Sequence, residues 1–425
     1  MKTKLLIFGI TGDLSRRKLL PALTKLIRSG DFDSLEIIGV SRHETDLTEL
    51  LDGYTELVPR TRMITMSLVD RSAYDTLKDT IALTPDEQLV VYLSVPPMAA
   101  TQIVDFMGGA GLNTPNVKIL FEKPFGVDLS SAKDVIARTA RFYDEAQIYR
   151  IDHYLAKEMA QNIVTFRGGN ALFSHIWNNN FVESIEIIAA ETIGIEGRAQ
   201  FYEQTGALRD VVQGHLMQLL ALTLMDIPTE FDWQELPELR LKALEQLQTV
   251  SPTTAVRAQY EGYQDEVENP GSQTETFVSL ELQSTQPRWL DVPIRLTAGK
   301  ALSEKTTEVR INLKKLHEAQ SNCIIFSIQP NEGIRIGLFV KKPGYAREFE
   351  TRTLGFNFRE DETLPDAYEQ VIVDAIHSRK SLFTSSAEVL RSWELLADVQ
   401  RAWNMDDTKL IVYPKGSGTS SIREE

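Results

Sequence analysis

The chain has 425 residues, 42% of them hydrophobic and 25% charged, which is the balance of a globular protein and excludes a largely disordered one. That length exceeds one ordinary core, so two domains are expected. A formal net charge of −15 argues against nucleic acid or an anionic membrane surface as partner, since both need a basic face, but it leaves room for a local basic pocket around a small phosphate.

The single cysteine, Cys323, cannot form a disulfide within the chain or build a Cys-rich metal site, and the six histidines show no HExxH-like spacing, so no metal is expected. No stretch reaches the length of a membrane span. The apolar run at the N-terminus is too short for a signal peptide and runs straight into a Gly-rich turn. It reads as a first strand, and a cytoplasmic protein is the default expectation.

Residues 3–9 (TKLLIFG) form an apolar run suited to a strand buried on both faces of a parallel sheet. A turn, Gly9-Ile10-Thr11-Gly12-Asp13-Leu14-Ser15, follows, and then a helical pattern over 14–27 with Gly30 as its stop. Strand, Gly turn and helix together place backbone N–H groups and the positive helix end against a phosphate pair. The spacing is GxxGxxS instead of GxGxxG, so a tight connection without a ligand is the competing reading. The next strand, 35–40, ends in Ser41-Arg42. An arginine at that point suits a 2′-phosphate, where an NAD site usually has an acid. NADP is therefore expected, with Arg42, Ser41 and Thr11 as contacts, and Glu44 close by leaves NAD open.

Helices are expected over 46–57, 73–83, 99–107 and 130–142, alternating with strands over 63–66, 88–95, 117–121 and 147–149. The strand at 88–95 runs into Pro96-Pro97, which stops the sheet where a cofactor crevice should open. The strand at 117–121 runs into Glu122-Lys123-Pro124-Phe125-Gly126. Ligands of open α/β sheets bind beyond the carboxyl ends of strands, which places Lys123 to touch a substrate, a salt bridge with Glu122 being the alternative. Residues 150–158 then read RIDHYLAKE. So many polar groups at the end of a nucleotide-type domain point to a site, and a charged helix entry capped by Asp152 is the plain alternative. A helix over 155–166 would set Tyr154 and Lys157 one turn apart at its start, with His153 as a third donor to a phosphate.

Beyond residue 170 the pattern changes to a strand over 183–190 ending in Glu191, a turn at 194–197, and a long helix over 207–225 carrying Asp210, Gln213, His215 and Gln218 among apolar residues. Five residues apart on an α-helix, Asp210 and His215 would lie on different faces. Strand-like runs at 276–282, 292–297, 309–313, 323–328 and 334–340 suggest a largely antiparallel sheet, with a two-lysine loop at 299–305. Helical patterns at 366–378 and 387–403 close the chain, and the Gly/Ser-rich tail from Lys415 is expected to be mobile.

Taken in order, the segments FGITGDLSRRKLLPAL, YLSVPP, FEKPFG, RIDHYLAKE, GALRDVVQGHLMQ, VPIRLTAGKALSEKTTEV and IQPNEGI resemble the glucose-6-phosphate dehydrogenase family, over nearly the whole chain. The resemblance implies an α/β Rossmann-type NADP-binding domain (1–150) and an α+β domain with a large, mostly antiparallel sheet for substrate binding and oligomerisation (151–425). It implies oxidation of glucose 6-phosphate to 6-phosphogluconolactone with hydride transfer to NADP, or also NAD, by a homodimer or homotetramer. On matched positions it makes His215 the base that takes the C1 hydroxyl proton and Asp152 the carboxylate that orients it. His153, Tyr154 and Lys157 become phosphate contacts, Lys123 a bridge between substrate and cofactor, Glu191 and Asp210 acceptors for sugar hydroxyls, and Lys300, Lys305 and Gln329 further substrate-side contacts. Gly9, Thr11, Gly12, Asp13, Leu14, Ser41 and Arg42 fall to the cofactor. A neutral histidine backed by a carboxylate suits this chemistry.

Some positions depart from the family pattern. Gly214 stands where Asn is usual, Ala156 where Gly is common, and Lys305 where a forked arginine is frequent. The chain is several tens of residues shorter than typical members, and Thr306 and Ser327 stand where the second, structural NADP site of some animal members has basic residues. Two rival readings stay open: a dehydrogenase of an unphosphorylated sugar or polyol, and a non-catalytic NADP-binding homologue.

Overall fold

The computed structural model describes residues 2–316, 322–358, 364–405 and 409–423. The chain divides into two units, one of residues 1–156 with 365–389, the other of residues 157–364 with 390–425. The expected boundary after residue 150 therefore moves. Residues 151–156 stay with the first unit, and a late segment returns to it.

The first unit is built on a sheet of β1 (Lys2–Phe8), β2 (Leu35–Ser41), β3 (Thr61–Thr65), β4 (Glu87–Leu93), β5 (Val117–Phe121) and β6 (Ile148–Ile151), which lie parallel in the order β6-β5-β4-β1-β2-β3. These strands read as unbroken apolar runs because both faces are covered; Leu5, Leu6, Ile7 and Phe8 are all fully buried. The helix expected over 46–57 is a single turn, Leu47–Leu50, capped by Asp46. Gly53, at φ +84°, then turns the chain, and Thr55–Arg60 is a short 3₁₀ segment containing Pro59.

The second unit holds a sheet of β7 (Val182–Ala190), β8 (Val256–Tyr260), β9 (Phe277–Leu282), β10 (Ile294–Gly299), β11 (Thr306–Leu313), β12 (Cys323–Gln329), β13 (Gly333–Lys341) and β14 (Phe349–Asn357). It is mostly antiparallel, with β7 parallel to β10 at its centre. The remaining described strands are β15 (Phe383–Thr384), an antiparallel edge on β6, and β16 (Leu410–Tyr413), parallel to β8. Apolar patterning misses β8, β14, β15 and β16. β8 hides because Arg257 and Gln259 are buried in it, and β14 because nearly all of it is exposed.

The returning segment shows why 365–389 belongs to the first unit. Asp366 and Glu369 form a capping box at the start of helix Ala367–Ile376. At its other end Lys118 of β5 donates to the carbonyls of Ala375 (2.6 Å) and Ile376 (3.0 Å), and Gln88 donates to Ile376 (3.0 Å). Side chains of the sheet thus take up the orphan carbonyls of that helix end. Val371, Ile372 and Ala375 join the core formed by Leu5, Ile7, Val90 and Leu120.

Two expectations for the second unit change. The tail from Lys415 is anchored: Ser417 bridges to Leu302, Lys415 pairs with Glu266 at 2.7 Å, and helix Thr419–Arg423 buries Ile422 among Tyr260, Tyr263, Phe277 and Tyr413. The long helix expected over 207–225 starts after Gly206, whose φ of 62° and ψ of 178° break the preceding helix, Ala199–Ala207. Its first half, Leu208–Leu216, is wound as a π-helix, and Met217–Leu224 continues as α-helix. In an i→i+5 winding, residues five apart close one ring, so Asp210 and His215 come onto one side.

Candidate active site

In the first unit the Gly turn closes over the end of β1. Gly9 sits at φ +78°, and a Cβ there would lie 2.2 Å from the Ser94 carbonyl oxygen, so only glycine fits. Gly12 N–H donates to Gly9 O at 2.9 Å. Ser15 is fully buried; its hydroxyl donates to Gly9 O (3.0 Å) and lies within hydrogen-bond distance of the Ser94 hydroxyl (3.2 Å). The serine that spoils the glycine fingerprint thus locks the helix start against the turn. Leu14 precedes the π-wound turn Ser15–Leu19, and Asp13 is exposed in an ion pair with Arg17 at 2.7 Å.

Beside this turn lies a cleft of about 310 Å³ lined by Thr11, Arg16, Ser41, Arg42, His43, Glu44, Thr45 and Glu49, among others. Ser41 is buried; its hydroxyl donates to His43 O and accepts from Thr45 Oγ1 at 3.2 Å, which shapes the loop carrying Arg42. Two arginines next to a helix start, with the nearby Asp46 committed as a helix cap, form a donor set that fits a 2′-phosphorylated dinucleotide. Arg16 escapes sequence reasoning because it reads as an ordinary helix cation; only the fold sets it beside Thr11, whose carbonyl its Nε reaches at 3.2 Å.

Beyond the carboxyl ends of β5 and β6 the first unit holds Glu122, Lys123, Asp152, His153 and Tyr154. Lys123 is half-buried before a cis bond to Pro124. Tyr92 of β4, fully buried, donates to Glu122. Burial pushes the Glu122 carboxyl up to about 7; the Tyr92 hydroxyl and the Lys123 ammonium pull it back, and the Asp152 charge adds to the rise. Asp152 is 1% exposed and accepts from Tyr154 N–H at 2.9 Å, while Leu155 N–H donates to Asp152 O at 3.1 Å. That turn delays the next helix to Glu158–Gly168, so Tyr154 and Lys157 precede it instead of lying on it. The rings of His153 and Tyr154 meet edge-on at 5.0 Å. Arg150 is buried in an ion pair with Glu145 at 2.6 Å, a structural use.

In the second unit Glu191, Lys300, Lys305 and Gln329 fall at one end of the large sheet. Glu191 follows β7 and Lys300 follows β10, and their side chains form an ion pair. Lys300 is 4% exposed, and its ammonium stands 5.4 Å from the centre of the Tyr202 ring. Thr306 pairs with Ala190 in antiparallel register, which sets the exposed Lys305 across from Glu191. Gln329 ends β12 and donates to Thr307 Oγ1 at 3.1 Å. Glu332, just beyond, accepts from Met159 N–H at 2.9 Å and stands 3.6 Å from Lys157 Nζ. The π-wound helix bearing half-buried Asp210 and buried His215 packs on β7 and β10. Burial, then the Asp210 and Glu275 charges, hold the Tyr202 phenol well above its ordinary range. Tyr202 carries no local sequence signal, and Glu332 lies in the IQPNEGI segment without a role assigned there; their partners in the fold reveal both.

Two sequence-family models match the chain: glucose-6-phosphate dehydrogenase, NAD binding domain, over residues 6–162, and glucose-6-phosphate dehydrogenase, C-terminal domain, over residues 164–424. The chain belongs to the glucose-6-phosphate dehydrogenase family. The glucose-6-phosphate 1-dehydrogenase of Borreliella burgdorferi is 34% identical over 453 residues, covering 97% of this chain and 94% of its own length. That alignment is longer than the chain itself, so gaps fall inside this chain relative to that family member. Among solved members of the family, a glucose-6-phosphate dehydrogenase in complex with its substrate glucose-6-phosphate superposes with a TM-score of 0.92 at 29% identity, covering 98% of this chain and 95% of that one. The glucose-6-phosphate 1-dehydrogenase of Mycobacterium avium gives 0.89 at 31%, with 99% and 96% covered.

Proposed function

We propose that this chain oxidises glucose 6-phosphate at C1 to 6-phosphogluconolactone. The observation that supports the reading is the Glu191–Lys300 ion pair at the ends of β7 and β10, with Lys300 and Asp210 both acting on Tyr202 and the helix that carries His215 packed on the same two strands. On this reading His215 accepts the proton of the C1 hydroxyl, and a neutral imidazole is a suitable base near neutral pH. Asp152 fixes its tautomer and stabilises the imidazolium. Glu191 and Asp210 accept from sugar hydroxyls, and Lys300, Lys305 and Gln329 line the substrate. His153, Tyr154 and Lys157 hold the phosphate, where binding energy remote from C1 positions the reacting carbon.

The chemistry that bound NADP would supply is that of a hydride acceptor for C1. The first unit would hold it through Gly9, Thr11, Gly12, Asp13 and Leu14 at the turn and through Arg42 and the Ser41-shaped loop at the 2′-phosphate, with Lys123 reaching toward both ligands. The same reading makes the enzyme a cytoplasmic homodimer or homotetramer. Supporting self-association, edge strand β14 exposes Phe349, Leu354 and Phe356. Among the described residues no helix is long and apolar enough to cross a membrane.

The test is direct. Purified protein with NADP should reduce the cofactor when glucose 6-phosphate is added and should do so far more weakly with glucose. Turnover of glucose alone would favour the unphosphorylated-sugar reading, and cofactor binding without turnover of either sugar the non-catalytic one.

A further inference from the structure

We infer that Glu275 is a positioning residue: it fixes the register of the π-wound helix Leu208–Leu216 and so the placement of Asp210 and His215. The inference rests on the proposed role of His215 as base. A π-winding is rare, and on relaxing to α-helix, residues five apart swing to about 140° from one another. Asp210 and His215 would then face different ways. The winding therefore needs an anchor at its N-terminal end, where the helix's own hydrogen bonds have not begun.

That end is held from the residues leading into β9. Ala207 N–H donates to the Glu275 carbonyl at 3.0 Å, and Leu208 N–H donates to Glu275 Oε1 at 3.0 Å. The fit leaves no slack. Gly206 stands at φ +62°, and a Cβ on it would lie 2.4 Å from Glu275 Oε1 and 2.7 Å from Cδ. The carboxylate fills the space that the glycine leaves. Glu275 is only 5% exposed, and burial raises its pKa against the pull of Leu208 N–H, its own N–H, Arg209 and Arg257. A serine or aspartate just before the helix would cap it at less cost. A long side chain from another element instead ties the helix to the sheet. The next residue completes the tie, because Thr276 O accepts from Lys300 N–H at 3.0 Å. Residues 275 and 276 thus set both the helix that bears His215 and the backbone of Lys300.

If reach rather than charge is what matters, two variants separate the effects. Glu275→Gln keeps an oxygen acceptor at the same distance and should hold kcat within about threefold of the parent. Glu275→Asp keeps the charge one methylene short and should lower kcat about tenfold or more, with KM for glucose 6-phosphate and NADP within about threefold, since small misplacements of reacting groups act on the chemical step. Thermal melts run alongside should show both variants folded at the assay temperature. Equal kcat for Glu275→Asp and parent, or a Gln variant as poor as the Asp one, overturns the inference. His215→Asn is the companion control. If it is nearly inactive while both Glu275 variants behave as the parent, only the positioning role falls. If it stays active, the base assignment falls, and this inference with it.

Discussion

Glu122 offers the sharpest test of the electrostatics at the carboxyl end of β5. Its side chain lies against the fully buried Tyr92, and its carboxyl rises from an ordinary 4.5 to about 7, burial being the largest cause. Folding raises this pKa, so between roughly 4.5 and 7 the folded chain binds more protons than the unfolded one, and this group's contribution to stability is full below that window and lost as pH rises through it. At about 1.4 kcal/mol per pH unit the ceiling is about 3 kcal/mol. Water at the half-buried edge screens part of it, which leaves roughly 1–3 kcal/mol. Glu122→Gln keeps an acceptor for Tyr92 and removes the charge. The variant should melt close to the parent at pH 4.5–5 and above it at pH 8, by roughly 2–4 °C per kcal/mol for a unit of this size. The assay is a pair of thermal melts at each pH, with NADP absent so that ligand binding does not add its own stabilisation. A melting difference that stays constant across that range, or that grows toward acid pH, would refute the reasoning.

Other outcomes follow from the proposed roles. His215→Asn should lower kcat by about 10²–10⁴-fold with little change in KM, the range for losing a general base. Lys157→Ala should mainly raise KM for glucose 6-phosphate, and steady-state kinetics showing the reverse split would exchange the two assignments. Arg42→Ala should raise KM for NADP about tenfold or more while leaving any NAD-linked rate nearly unchanged, read as the ratio of kcat/KM for the two cofactors. An equal loss with both cofactors would move the 2′-phosphate contact elsewhere in the cleft, with Arg16 as the next candidate.

Much of the first unit is legible in sequence because its strands are buried on both faces. Runs such as LLIF in β1 and LVVYL in β4 announce themselves, and Pro96-Pro97 marks the end of the strand that precedes it. The second unit is harder for a physical reason. Arg257 and Gln259 are buried polar residues of β8, and β14 is an exposed edge, so neither shows the alternation that periodicity reads. The candidate residues themselves are legible as chemistry at strand ends. Their partners are not, because Tyr202 meets Lys300, and Glu332 meets Lys157, across long stretches of chain. The winding of Leu208–Leu216 is hidden as well, since its apolar residues fit an α-helix equally well and nothing local records an i→i+5 ladder.

The structure also alters how the proposed phosphate contact should work. Sequence reasoning starts a helix at Leu155, whose N–H groups and dipole would face the phosphate. The helix starts at Glu158, and a carboxylate already occupies its N-terminal end: Glu332 accepts from Met159 N–H and stands near Lys157. Burial and the Glu332 charge also push the Glu158 carboxyl up. An anion is therefore present where the helix dipole is strongest, and a phosphate dianion placed there would meet like charge. Lys157, in the extended residue ahead of the helix and about a third exposed, is the group able to turn from Glu332 toward a new anion. Phosphate affinity on this reading comes from side chains held by a turn, Lys157 among them and paired with Glu332, not from the helix end.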